Sequence, residues 1–258
     1  MPPALIPVAY GDAMPPDATA PPPASVVPLR TTRLAAALLG VTAMLLATDL
    51  LLKLVTTPQG RWQELRNLFS VSNESNVPTF WNAALLVLVS VACAVVALLA
   101  DRTRTGWTVA SLTSFALAAD ETVRGHERLR SVSSQLGSWL PLEVPTYSWL
   151  LPGALALAGA TAAWAWTSRL PRSVRTGLRL ALVVYGTGAL GFEALSGMIE
   201  TRSGIGVEYA LATLVEEGLE MTACAIALVA VLRMLGTGMV GPRRAVLVPV
   251  ERDEGVAP

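Results

Sequence analysis

Charge is what this sequence has least of. Only 15% of its 258 residues are Asp, Glu, Lys or Arg, against about 25% in soluble domains, and mean hydropathy is +0.53. That excludes an ordinary soluble domain and points to the bilayer. The net charge of zero excludes a basic nucleic-acid-binding surface. One lysine, Lys53, stands against eighteen arginines, a bias that suggests a GC-rich genome. The single histidine, His126, leaves no HExxH, H-x3-H or paired E-x-x-H metal motif. With one histidine and no nucleophile elbow, a serine triad is unsupported; Ser111, Thr113, Ser114 and Thr122 read as hydroxyls bonded back to helix carbonyls. The two cysteines, Cys93 and Cys224, lie in apolar runs and read as small core residues.

What is present is apolar length. Residues 1–29 are rich in Pro, Ala and Asp and read as a disordered tail. They lack the basic start and compact apolar core of a signal peptide. Residues 236–258 read as a flexible C-terminal tail, although the stretch AVLVPV is apolar enough to lie against a membrane. Between them, residues 30–235 hold six apolar segments: Leu34–Val55, Pro78–Ala100, Trp107–Ala119 and onward, Tyr147–Ser168, Leu178–Ile199 and Val207–Leu232. Crossing roughly 30 Å of hydrocarbon takes about 20 residues. The second and fourth segments reach that length without a charge, and the other four only if charged residues enter the membrane. The expected fold is therefore an all-α polytopic bundle of about six transmembrane helices. With the amino terminus inside, twelve basic residues fall on the inner side and seven on the outer. The positive-inside rule thus places both termini in the cytoplasm. Trp62, Trp81, Trp139 and Trp149 would form the outer aromatic belt, and Trp107, Trp164 and Trp166 the inner one.

The acids concentrate at the outer end. From Arg33 to Asp49 is 16 residues, from Arg104 to Asp120 is 16, from Arg179 to Glu193 is 14, and from Glu220 to Arg233 is 13. At about 1.5 Å per residue these are roughly 20–24 Å, so four helices carry a carboxylate to one level below the outer surface. An intramembrane carboxylate costs about 2.5–3.5 kcal/mol on insertion scales. Turning the four inward, to share protons, arginines, water or a cation, costs less than exposing each to lipid. Asp49 and Lys53, at i, i+4, partly neutralise each other.

Two segments carry the candidate chemistry, DETVRGHERL from Asp120 and EYALATLVEEGLEM from Glu208. Asp120, Glu121, His126, Glu127, Glu217 and Glu220 form a candidate divalent-metal shell, completed by Asp49 and Glu193 as chamber residues; carboxylates with one imidazole suit such an ion. Glu121 or His126 would serve as the general base of a metal-dependent hydrolase on a lipid-derived or small-molecule substrate. Two other classes fit: a cation- or proton-coupled transporter, since acids within spans mark ion pathways, and a lipid-binding or assembly protein whose acids pair with Arg124, Arg128, Arg130 and Arg202. The amphipathic piece RWQELRNLF, between the first two segments, would cover the chamber from the interface.

These segments resemble a group of bacterial polytopic membrane proteins of unassigned function, which carry DE…HE on one span and E…EE…EM on another. The resemblance implies a multi-span helical fold and supplies no activity. A looser similarity, in Asp120 and His126, is to alkaline-ceramidase-type membrane hydrolases, whose several site histidines are missing here.

Overall fold

The computed structural model describes residues 27–57, 59–73, 75–100, 102–123, 147–240 and 244–249. His126, Glu127 and the arginines at 124, 128 and 130 lie outside the described residues. The helices are α1 (Thr32–Val55), α2 (Gln63–Phe69), α3 (Val77–Leu99), α4 (Arg104–Val123), α5 (Tyr147–Thr167), α6 (Arg172–Gly186), α7 (Glu193–Ser203) and α8 (Val207–Leu232). A π-helical turn, Thr187–Phe192, joins α6 to α7 into one rod. Among the described residues, three rods are long and apolar enough to cross a membrane: Thr32–Val55, Val77–Leu99 and Arg172–Ser203. The longest helix, α8 with 26 residues, carries Glu208, Glu216, Glu217 and Glu220 in its first half. This is the architecture of a helical membrane protein.

Local chemistry sets the helix ends. Asn76 caps α3 by accepting from the Thr79 N–H at 3.2 Å, and Pro78 follows in the first turn. The Arg104 side chain donates to the last-turn carbonyl of Ala97 at 3.2 Å. α7 stops at Gly204, whose φ of 75° suits glycine.

α3 and α8 form the centre, α3 packing on α4 and on α8, and α8 also on α1, α6 and α7. Leu85, Val96, Met221 and Val231 are fully buried there, whereas Phe80, Leu98, Leu112 and Phe115 point outward and are exposed. Large apolar residues on the outside are what hydrocarbon rather than water solvates. Trp107 is fully buried, its ring edge-on to Trp166 at 4.9 Å, so this pair locks α4 to α5 instead of forming an interfacial belt. Cys93 and Cys224 are buried and free, as small core residues.

The chain ends depart from the expected loose tails. Val27–Pro28, Leu235–Val240 and Arg244–Pro249 pair as a three-stranded antiparallel sheet, named β1, β2 and β3 and lying in the order β1-β2-β3. The β-branched run after Arg244 supplies a strand, and its partner begins directly after α8. Within the disordered tail expected for 1–29 and the flexible tail expected for 236–258, these described residues are strand, and residues 1–26, 241–243 and 250–258 lie outside the described residues.

Candidate functional site

Charge divides along the bundle. Every described carboxylate lies toward the end holding the α1–α3 and α7–α8 connections, and most described arginines lie toward the other end. Within the acid-rich end the side chains sort into two linked groups.

The first surrounds Asn82 on α3, which is fully buried. Its Nδ2 donates to Glu121 Oε1 on α4 at 3.0 Å, and its Oδ1 accepts from Cys224 Sγ on α8 at 3.7 Å. Glu220 lies within reach of the same amide, with Glu217, Glu216 and Glu121 as electrostatic neighbours. Tyr185, at the end of α6, reaches the same cluster beside Glu220 and Cys224. Ser196 on α7 donates to Glu216 Oε2 at 3.2 Å and to the Glu193 carbonyl at 3.0 Å. Carboxylates from α4 and α8 thus share one pocket, held by neutral donors on α3 and α7.

The second group is a chain of polar contacts. Lys53 Nζ donates to Asp49 Oδ2 at 2.8 Å and to Ser72 Oγ at 3.0 Å. Ser72 Oγ lies 2.8 Å from Thr213 Oγ1 on α8. Because Ser72 accepts from the ammonium, its own proton is directed to Thr213, whose hydroxyl in turn faces the Tyr209 and Ala210 carbonyls at 3.2 Å. Thr213 precedes Glu216 and Glu217 by three and four residues, one helical turn. Ser70 and Val71, just after α2, are buried, while α2 itself has no buried residue. The cover over the site is therefore the turn after RWQELRNLF, not that amphipathic helix.

Of the expected shell, Glu121, Glu217 and Glu220 come together. Asp120 is half-buried one residue, about 100° of helix, away from Glu121. Asp49 is spent on Lys53, and the Glu193 carbonyl accepts from Ser196. His126 and Glu127 lie outside the described residues. Among the described residues no three of His, Cys, Asp and Glu converge tightly enough to hold a metal ion. Asn82, Tyr185 and Ser196 escaped sequence reasoning, which followed charge. Thr122 bonds back to the Ala118 and Ala119 carbonyls at 2.9 Å, and Ser111 pairs with Ser90, so neither hydroxyl enters the cluster.

The family described as a domain of unknown function, DUF8692, matches residues 34–235. The chain belongs to this family. Its match starts in the first turns of α1 and ends as β2 begins, so the DUF8692 unit contains both the glutamate cluster and the Lys53 chain. No curated protein and no solved structure matches the chain.

Proposed function

We propose that this DUF8692 protein is a six-span protein of the bacterial inner membrane, both termini cytoplasmic, that binds protons at its glutamate cluster and couples them to movement of a cation or solute. One observation carries this reading: Glu121 and Glu220 meet at the buried Asn82 amide, while the Asp49–Lys53–Ser72–Thr213 chain runs from the outer turn to within one helical turn of Glu217. Carboxylates enclosed among apolar helices are tolerated when they share protons or a cation, and such groups mark ion pathways. The side on which the chain opens follows from the arginine bias. Cysteines introduced singly at Gln63 and Thr103 check this topology. The first should react with an impermeant maleimide from the periplasm, the second only after permeabilisation; the reverse pattern overturns it.

A second reading, a metal-dependent membrane hydrolase, is favoured by the fact that Glu121 belongs to the DE-x4-HE segment and is also the residue delivered to Glu217 and Glu220. There Asp120, Glu121, His126, Glu127, Glu217 and Glu220 would hold a divalent ion, which would supply an activated water, and Glu121 or His126 would take its proton.

One experiment separates them. The full chain is reconstituted in liposomes carrying a pH dye, and its metal content is measured after a mild chelator wash. Proton uptake after an acid pulse should fall at least about tenfold in Glu220→Gln and in Glu121→Gln, the effect expected for a group taking part directly in proton transfer, with melting temperatures held. Stoichiometric metal without uptake moves the assignment to the hydrolase. Neither uptake nor metal, with the variants merely less stable, leaves the acids as a structural network and rejects both.

A further inference from the structure

The opposite end of the bundle has a feature that the cluster does not use. α1 and α6 both pack on α8 but form no substantial interface with each other, which leaves a cleft of about 700 Å³ between them. Arg172, Ser173 and Arg233 stand at its mouth, and Leu39, Leu180 and Val229 line its walls. From Arg172 to Leu180 is eight residues of helix, about 12 Å, which is most of one leaflet of a roughly 30 Å core.

The mouth is built for an anion. α6 starts at Arg172 after Pro171 with no side-chain cap. Its first turn is the positive end of the helix dipole. Arg30, Arg33, Arg104, Arg169 and Arg175 lie toward this end, where the sequence places one acid between α3 and α4, Asp101. Basic pockets between transmembrane helices favour anionic lipid head groups over zwitterionic ones. The cleft's apolar depth rules against a small free anion as the fitting occupant, because an anion would leave the Leu39, Leu180 and Val229 walls unfilled.

We propose that the α1–α6–α8 cleft is a binding site for one anionic glycerophospholipid, its phosphate at Arg172, Ser173 and Arg233 and an acyl chain between α1 and α6. The site rests on the membrane placement proposed above and not on the glutamate cluster.

The test is native mass spectrometry of the full-length protein extracted from bilayers containing phosphatidylglycerol and phosphatidylcholine in equal amounts. One phosphatidylglycerol should survive delipidation. Arg172→Gln with Arg233→Gln should weaken its retention roughly thirtyfold, two surface charges acting together, and Arg172→Lys with Arg233→Lys should restore most of it. Thr176→Trp, which fills the cleft without touching the charges, should also expel the lipid. Equal retention of phosphatidylcholine, or retention indifferent to both the charge and the filling variants, would mean annular lipid and overturns the site. Inorganic phosphate displacing the phosphatidylglycerol at millimolar concentration, with Thr176→Trp silent, would reduce it to an anion site and equally overturns the proposal. Proton uptake stays at the wild-type level in all of these variants, so failure here and failure of the proposed function are told apart.

Discussion

Replacing Lys53 by Met should destabilise the protein by about 3–5 kcal/mol, the range seen when one partner of a buried ion pair is removed. Asp49 is only 1% exposed, and its Oδ2 sits 2.8 Å from the Lys53 ammonium. Its Oδ1 has no hydrogen-bond partner among the described residues. The lysine is thus what the Asp49 carboxylate has in exchange for water. Removing it also cuts the link to Ser72 and so loosens the turn covering the site from Thr213 on α8. The double variant Asp49→Asn with Lys53→Met should recover most of the loss, because the uncompensated charge leaves with its partner. Thermal unfolding in detergent measures the cycle. At about 2–4 °C per kcal/mol for a chain of this size, the single variant melts roughly 6–20 °C lower. A loss below about 1 kcal/mol would place the pair with solvent-screened surface bridges and break the proposed link from the outer turn to α8.

The helices were legible because apolar length and breakers agree. The segment expected over Val207–Leu232 coincides with α8, Pro78–Ala100 is displaced from α3 by one residue at each end, and Tyr147–Ser168 ends one residue after α5. The chain's own punctuation, Asn76-x-Pro78, Pro171 and the Gly204–Gly206 turn, marks these ends. The level of the acids was legible too, since depth depends only on rise per residue. Their azimuth was less so. Asp120 and Glu121 occupy the same level, yet only Glu121 has the angle that reaches Asn82. In the Arg172–Ser203 rod the π turn adds a residue to one helical turn and rotates everything after it. A face counted from Arg179 therefore does not carry to Glu193. Asn82, Tyr185 and Ser196 were illegible for a simpler reason: a neutral polar residue inside an apolar run gives no signal until its partner on another helix is placed beside it. The β2–β3 pairing was hidden by glycines, which break the alternation a strand is recognised by.

That π turn carries the second large effect, at Gly188. A Cβ added there would meet the Glu216 carbonyl oxygen at 2.9 Å, Glu220 Cγ at 3.1 Å and Leu219 Cβ at 3.2 Å. The first obstacle is backbone, so α8 itself would have to move. Gly188→Ala should therefore cost about 1–3 kcal/mol, the range for overpacking a close contact, and Gly188→Val more. Two glycines nearby supply the control. Gly186 and Gly191 have nothing within 4 Å of a built Cβ, and replacing such a helical glycine by alanine stabilises by about 0.4–1 kcal/mol through the unfolded chain. Within six residues the same substitution should change sign. Because the affected contacts are those of Glu216 and Glu220, Gly188→Ala should also lower proton uptake, although glycine has no chemistry of its own. Melting curves of the three alanine variants, set beside their uptake, read both effects. Equal stability at positions 186, 188 and 191 would mean that α8 does not approach the turn closely. The π turn would then have no part in presenting Glu220 to Asn82 and Glu216 to Ser196.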